Sequence, residues 1–179
     1  MDGYAVELGF EPKAAQKIRK IQTDLAAAGL HSEFTELQNQ PHITLTAFHP
    51  KIDKEKLQAV TAAFSQSIAP FDVTFTSIAQ FATAQNVVYL APLTTMTMME
   101  MYQAFQDQLS QADLEPGFYY RPGSWIPHTT ITMKGPKADL GPTVDLIRKA
   151  PVFNRPMTID RINLVWYAPF NLIQTFPLT

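Results

Sequence analysis

The 179-residue sequence predicts a duplicated α+β fold, with two small antiparallel or mixed sheets facing a central cleft and helices packed outside. Three observations predict it. Segments of period-two alternation and segments of helical spacing follow one another along the chain. The order strand, helix, irregular or edge segment, strand, helix, strand reads twice, in halves of about 1–80 and 85–179 of one domain. One hexapeptide recurs at the same place in each half, and a doubled unit implies a twofold axis along which a cleft forms.

In the first half, Tyr4 to Phe10 reads as a short apolar strand interrupted by Glu7. A helix follows from about Pro12 to Ala28, because Ala14, Ile18, Ile21, Leu25 and Ala28 form one stripe. Pro12 suits its first turn and Gly29 its left-handed stop. His31 to Leu37 reads as an extended connector or edge strand, and Pro41 to Phe48 as the next strand. Asp53 is placed to cap a second helix with the stripe Leu57, Val60, Phe64 and Ile68, ended by Pro70. Phe71 to Ile78 alternates as a strand.

The second half repeats the pattern. Asn86 to Leu90 is a strand, and Thr97-x-x-Glu100 has the form of a capping box. The helix it opens carries Met98, Met101, Tyr102, Phe105, Leu109 and Ala112 on one stripe, which assigns the Met96–Met101 cluster to the core. After an aromatic stretch, Phe118 to Trp125, come the strand Pro127–Met133 and a short helix around Val144–Lys149. Phe153 to Tyr167 is extended, and Asn171 to Phe176 forms a last edge strand.

Composition narrows the function classes. Cysteine is absent, which excludes disulfides, a thiolate nucleophile, zinc knuckles and iron–sulfur clusters. Fourteen basic residues against sixteen acidic ones give a net charge of −2, and no Lys or Arg occurs between Lys56 and Arg121. A protein that grips long duplex nucleic acid through its phosphates carries a basic surplus, so a nucleic-acid partner should be short or held by its end. A local patch remains open, from Arg121, Lys134 and Lys137 or from the Lys13–Lys20 helix. No run approaches the ~18 apolar residues of a membrane helix, and the first residues lack the basic start of a secretory signal. A cytoplasmic monomer without membrane association is expected.

The chemistry is carried by the hexapeptide. Pro41-His42-Ile43-Thr44-Leu45-Thr46 recurs as Pro127-His128-Thr129-Thr130-Ile131-Thr132. Strand alternation puts His42, Thr44 and Thr46 on one face and Ile43 and Leu45 on the other, with the same phase for His128, Thr130 and Thr132. Each proline marks a strand entry, where cleft rims lie. Two imidazoles across one pocket can divide acid and base work at neutral pH, and hydroxyls two residues on can hold phosphoryl oxygens. That scheme requires no metal and no cofactor.

The two motifs resemble the paired His-x-Thr signatures of the 2H phosphoesterase superfamily, in its 2′-5′ RNA ligase-like and cyclic-nucleotide phosphodiesterase branch. His42-Ile43-Thr44-Leu45 fits the His, hydrophobic, Thr/Ser, hydrophobic pattern, and His128-Thr129-Thr130-Ile131 departs from it only at Thr129. The resemblance covers nearly the whole chain. It implies a bilobal duplicated fold, His42 and His128 as the acid–base pair, and Thr44 and Thr130 as phosphate ligands. It further implies hydrolysis of a cyclic phosphate or 2′-5′ phosphodiester of a nucleotide or RNA end, without assigning which histidine is acid and which is base.

Other readings stay beside these. The histidines could be structural, or could hold a metal, although no partner carboxylate stands at ligand spacing. An RNA end-joining activity or a non-catalytic nucleotide-binding module would use the same pocket. Tyr119, Tyr120, Arg121 and Trp125 form an aromatic-basic cluster that either stacks a base and contacts phosphate or folds back as a packed loop. Thr46 and Thr132 either line the pocket or reflect strand preference, and Lys134 either raises the local potential or is a plain surface lysine. His31 and His49 are read as surface residues.

Overall fold

Strand β1 (Tyr4–Phe10) buries Val6, Leu8 and Phe10 against the helices and turns Ala5, Glu7 and Gly9 the other way. The computed structural model describes residues 2–31, 33–36, 39–134 and 139–179, and of Glu36 only the backbone. Helix α1 (Pro12–Ala27) starts on Pro12 and ends at Gly29, whose φ of +69° is the left-handed stop expected there. A single helical turn, α2 (Glu33–Glu36), replaces the extended connector predicted around His31 to Leu37, of which Ser32, Leu37 and Gln38 lie outside the described residues. Strand β2 (His42–Phe48) leads to α3 (Lys54–Ser65), where Asp53 accepts from the Lys56 N–H at 3.0 Å as its cap. Strand β3 (Phe71–Gln80) completes this half.

The second half runs β4 (Val88–Pro92), α4 (Met96–Gln111), a single 3₁₀ turn (Phe118–Tyr120), β5 (Thr129–Thr132), α5 (Leu140–Ile147) and β6 (Pro156–Tyr167). Strand β7 (Phe170–Pro177) pairs with β6. The capping threonine of α4 is Thr95, not Thr97. Thr95 is extended (φ −86°, ψ 160°) and its hydroxyl accepts from the Met98 N–H at 3.2 Å, which leaves Thr97 inside the first turn.

The strand order is β2-β1-β6-β3-β4-β5, with every strand pair antiparallel. This order is unchanged when β1, β2 and β3 are exchanged with β4, β5 and β6. Each half therefore sends its third strand into the other half's sheet. Strand β3 pairs with β6 through Phe71–Thr74 and with β4 from Phe75 onward, so it joins the two sheets. Helices follow the same exchange: α1 packs on α5 and α3 on α4, with Phe64 and Phe105 meeting at 4.7 Å.

The duplication extends to a defect in the ladder. Glu7 pairs with Thr44 and Val6 with Thr46, so Leu45 is an extra residue in β2. Tyr89 pairs with Thr130 and Val88 with Thr132, so Ile131 is the equivalent extra residue in β5. Beyond such a bulge the alternation restarts out of phase. Leu45 and Thr46 are both buried, as are Ile131 and Thr132, which corrects the expectation that Thr46 and Thr132 share the face of the histidines.

Candidate active site

His42 opens β2 and His128 stands immediately before β5, each behind a buried proline. The proline fixes its own φ and keeps the preceding residue extended. In both halves this brings the carbonyl two residues upstream to the ring. His42 Nδ1 lies 2.8 Å from the Gln40 carbonyl oxygen, and His128 Nδ1 lies 2.7 Å from that of Ile126. A carbonyl only accepts, so Nδ1 carries the proton in both rings and Nε2 is the atom left to exchange one. The neighbouring strands β2 and β5 approach each other, and the two imidazoles are close enough to interact electrostatically.

The rings differ in what surrounds them. Glu7 of β1 is buried, and its Oε1 stands 3.3 Å from His42 Nε2. Burial raises the Glu7 carboxyl above the usual range, against an opposing pull from His42. His128 instead sits against two aromatic rings, edge-on to Phe81 at 4.9 Å and to Tyr89 at 5.2 Å. Burial lowers its tendency to hold a charge, the hydrogen bond to Ile126 opposes this, and His42 adds a further lowering.

Thr44 and Thr130 follow their histidines at half-buried positions on the same face. The phenol of Tyr120 lies near Thr44; its pKa is raised mainly by burial and further by Glu7 and Tyr167, with Thr44 pulling the other way. Tyr120 and Trp125 are thus the members of the aromatic cluster beside the motif. Trp125 is buried, stacks on Tyr102 at 4.1 Å with an interplanar angle of 3°, and donates its indole N–H to the Thr44 carbonyl at 2.9 Å. These contacts make it a tie between the halves. Tyr119 is 76% exposed and meets Phe118 edge-on.

Arg121 points elsewhere. Its Nε donates to the Pro116 carbonyl at 3.1 Å, its Nη2 is 3.6 Å from Glu115, and it lines a groove of about 730 Å³ along α4 that contains no histidine. Lys134 is exposed and left-handed (φ +63°), with its backbone N–H given to Gln85; Lys137 lies outside the described residues. Thr46 is fully buried without a partner for its hydroxyl, and Thr132 donates to Glu33 Oε1 at 3.1 Å. His31 pairs with the Thr143 hydroxyl at 2.9 Å and is half-buried, which corrects its reading as a surface residue. His49 is exposed, as expected.

Sequence reasoning missed Glu7, Phe81 and Tyr89. Glu7 carries a signal, a lone acid in an apolar strand, but the strand register is needed to connect it with His42. Among the described residues no group of three or more His, Asp or Glu is arranged to hold a metal ion.

A duplicated α+β frame with one His-x-Thr motif at the inner edge of each half defines a class of protein. The chain belongs to the 2′-5′ RNA ligase superfamily, whose family model matches residues 10–169. This is the 2H phosphoesterase grouping that the motifs resemble, so the protein is of phosphoesterase or ligase type. No curated protein matches the chain. Among solved structures it is similar to Escherichia coli LigT complexed with 3′-AMP (14% identity, TM-score 0.63, 99% of this chain and 98% of that one). It is likewise similar to TT0787 of Thermus thermophilus (14%, 0.64, 99% and 98%) and to Kluyveromyces marxianus Usb1 (9%, 0.54, 99% and 97%). At these identities the likeness establishes a shared fold.

Proposed function

We propose that the protein is a metal-independent phosphoesterase that opens a cyclic phosphate, or cleaves a 2′-5′ phosphodiester, on a nucleotide or the end of a short RNA. The observation that carries this reading is the matched pair of imidazoles, each fixed through Nδ1 to the carbonyl two residues upstream, so that Nε2 is the nitrogen able to exchange a proton, beside Glu7 in His42. A phosphorus between them has a base on one side and an acid on the other. One imidazole takes the proton of the attacking water as the new P–O bond forms. The other gives its proton to the departing ribose oxygen as the old P–O bond breaks. Thr44 and Thr130 supply hydroxyls to the non-bridging oxygens, where charge is concentrated in the transition state. The nucleotide complexes of LigT, with 3′-AMP, ATP and NADP+, support a nucleotide as the substrate class.

The test is turnover of 2′,3′-cyclic, 3′,5′-cyclic and 2′-5′-linked nucleotides by wild type, His42→Ala and His128→Ala. Each substitution should lower kcat by about 10²–10⁴-fold with the fold intact. The wild-type rate should survive excess chelator. Full activity in both variants, or binding of every nucleotide without turnover, would overturn the proposal.

A further inference from the structure

The duplication makes the frame of the cleft symmetric, and one pair of positions makes its chemistry unsymmetric. Glu7 faces Thr44 across the β1–β2 ladder, and Tyr89 faces Thr130 across the β4–β5 ladder. Under the exchange that leaves the strand order unchanged, Glu7 and Tyr89 are equivalent. One half thus sets a carboxyl beside its histidine, and the other sets an aromatic ring there.

We infer that Glu7 is a positioning residue that keeps one proton on the His42 side of the cleft, making His42 the general acid and His128 the general base. This rests on the phosphoesterase reading above. The geometry of the pair requires the proton. His42 Nδ1 donates to the Gln40 carbonyl, so in the neutral ring Nε2 is a bare acceptor. A carboxylate oxygen 3.3 Å from a bare acceptor sets lone pair against lone pair in a buried site. Either the ring is an imidazolium beside a carboxylate or the carboxyl is protonated beside a neutral ring. Both states hold one transferable proton.

The other groups around Glu7 leave that proton where it is. From β2 come His42 and Thr44. From β6 come Asn163, whose Oδ1 accepts from Thr175, and Arg161, whose stem lies over Gly9 and whose guanidinium is turned to Asp160 and the Phe10 carbonyl. The 3₁₀ turn contributes Tyr120, with Tyr167 beyond it, and His128 interacts with His42. No second cation among the described residues is paired with Glu7. On the opposite side His128 meets Phe81 and Tyr89, which offer no counter-charge to an imidazolium, and its burial favours the neutral ring.

In the hydrolysis of a 2′,3′-cyclic phosphate, water then loses its proton to His128 Nε2 as its oxygen bonds to phosphorus. The ribose oxygen leaves with the proton of His42 Nε2, and solvent returns both groups to their starting states.

Two measurements on wild type, Glu7→Gln and Glu7→Asp test this. The first is kcat/KM against pH for a 2′,3′-cyclic nucleotide. Glutamine keeps the shape and removes the charge, so the alkaline limb should move to lower pH by about one unit, with the acid limb in place. Aspartate should restore part of the shift. A uniform loss with both limbs unmoved, or movement of the acid limb instead, overturns the inference. The second is an NMR titration of both imidazoles without substrate. The His128 ring should lose its proton first, and Glu7→Gln should narrow the gap. The reverse order or an unchanged gap overturns the assignment whatever the turnover. A wild type that turns over no nucleotide yet titrates as expected would instead sink the proposed function. Should Glu7→Gln not fold, Glu7→Asp carries both readouts, with the same shifts at reduced size.

Discussion

His128 ties stability to pH with a definite sign. Its folded pKa lies below the ordinary value of 6.5, mainly because it is buried. In the window beneath that value the unfolded chain binds more protons than the folded one, so stability is lost as pH falls and recovered as it rises. The urea midpoint should therefore rise from pH 5.5 to pH 7.5 by more in wild type than in His128→Gln, the raised carboxyl of Glu7 opposing that rise in both. An equal change in the two proteins would place the pH sensitivity on other groups. At this scale the sequence was legible where spacing carries the information. His42, Thr44, His128 and Thr130 declare themselves because the same types recur in phase. Glu7 does not, since its meaning depends on Thr44 lying opposite in the next strand. Tyr89 reads as an ordinary apolar strand residue, and Phe81 as a residue between strands, until the His128 ring is placed against the pair.

Strand by strand, alternation places the elements well and places some side chains wrongly. Strand β1 has the predicted bounds, and β2 and β3 shift by one or two residues. The bulges at Leu45 and Ile131 are invisible to such a reading, because a bulge belongs to a pair of strands and alternation is read from one. The choice between Thr95 and Thr97 as the α4 cap is hidden for a similar reason: both can cap, and the route of the chain out of β4 decides. The buried threonines at and beside the bulges have measurable consequences. Thr46 and Thr129 are fully buried with no hydroxyl partner, Thr129 filling the one motif position where a hydrophobic residue is usual. Thr46→Val and Thr129→Val should each leave stability unchanged or raise it by about 1 kcal/mol, since a desolvated hydroxyl is removed. Thr132→Val should cost about 1–2 kcal/mol, because Glu33 loses one of the two donors it receives from Thr132 and the Met133 N–H. Thermal unfolding of the three variants separates these cases, and destabilisation of the first two would mean that their hydroxyls are bonded through water.

The whole molecule brings its two motif strands together through one exchange and one tie between its halves. The third strands cross, which makes β6 and β3 neighbours and joins the sheets into one body. That exchange fixes the midline of the frame but leaves β2 and β5 as separate strands facing one another. Trp125 closes that gap. It lies three residues before His128, stacks on Tyr102 of α4, and donates to the carbonyl of Thr44, two residues after His42. The tie is a single hydrogen bond anchored by a ring, so its two parts can be removed separately. Trp125→Phe keeps a ring over Tyr102 and deletes the donor. It should cost about 1 kcal/mol of stability. Its larger effect should fall on kcat, because a displacement of roughly 1 Å between acid and base costs on the order of 10²-fold. Trp125→Ala deletes both parts and should cost about 3–5 kcal/mol. Unfolding midpoints and kcat for the two variants decide the role. Proportional losses of stability and kcat in both would make Trp125 a packing residue only, whereas a kcat loss in Trp125→Phe far beyond its stability loss makes it the spacer that sets the distance between the imidazoles.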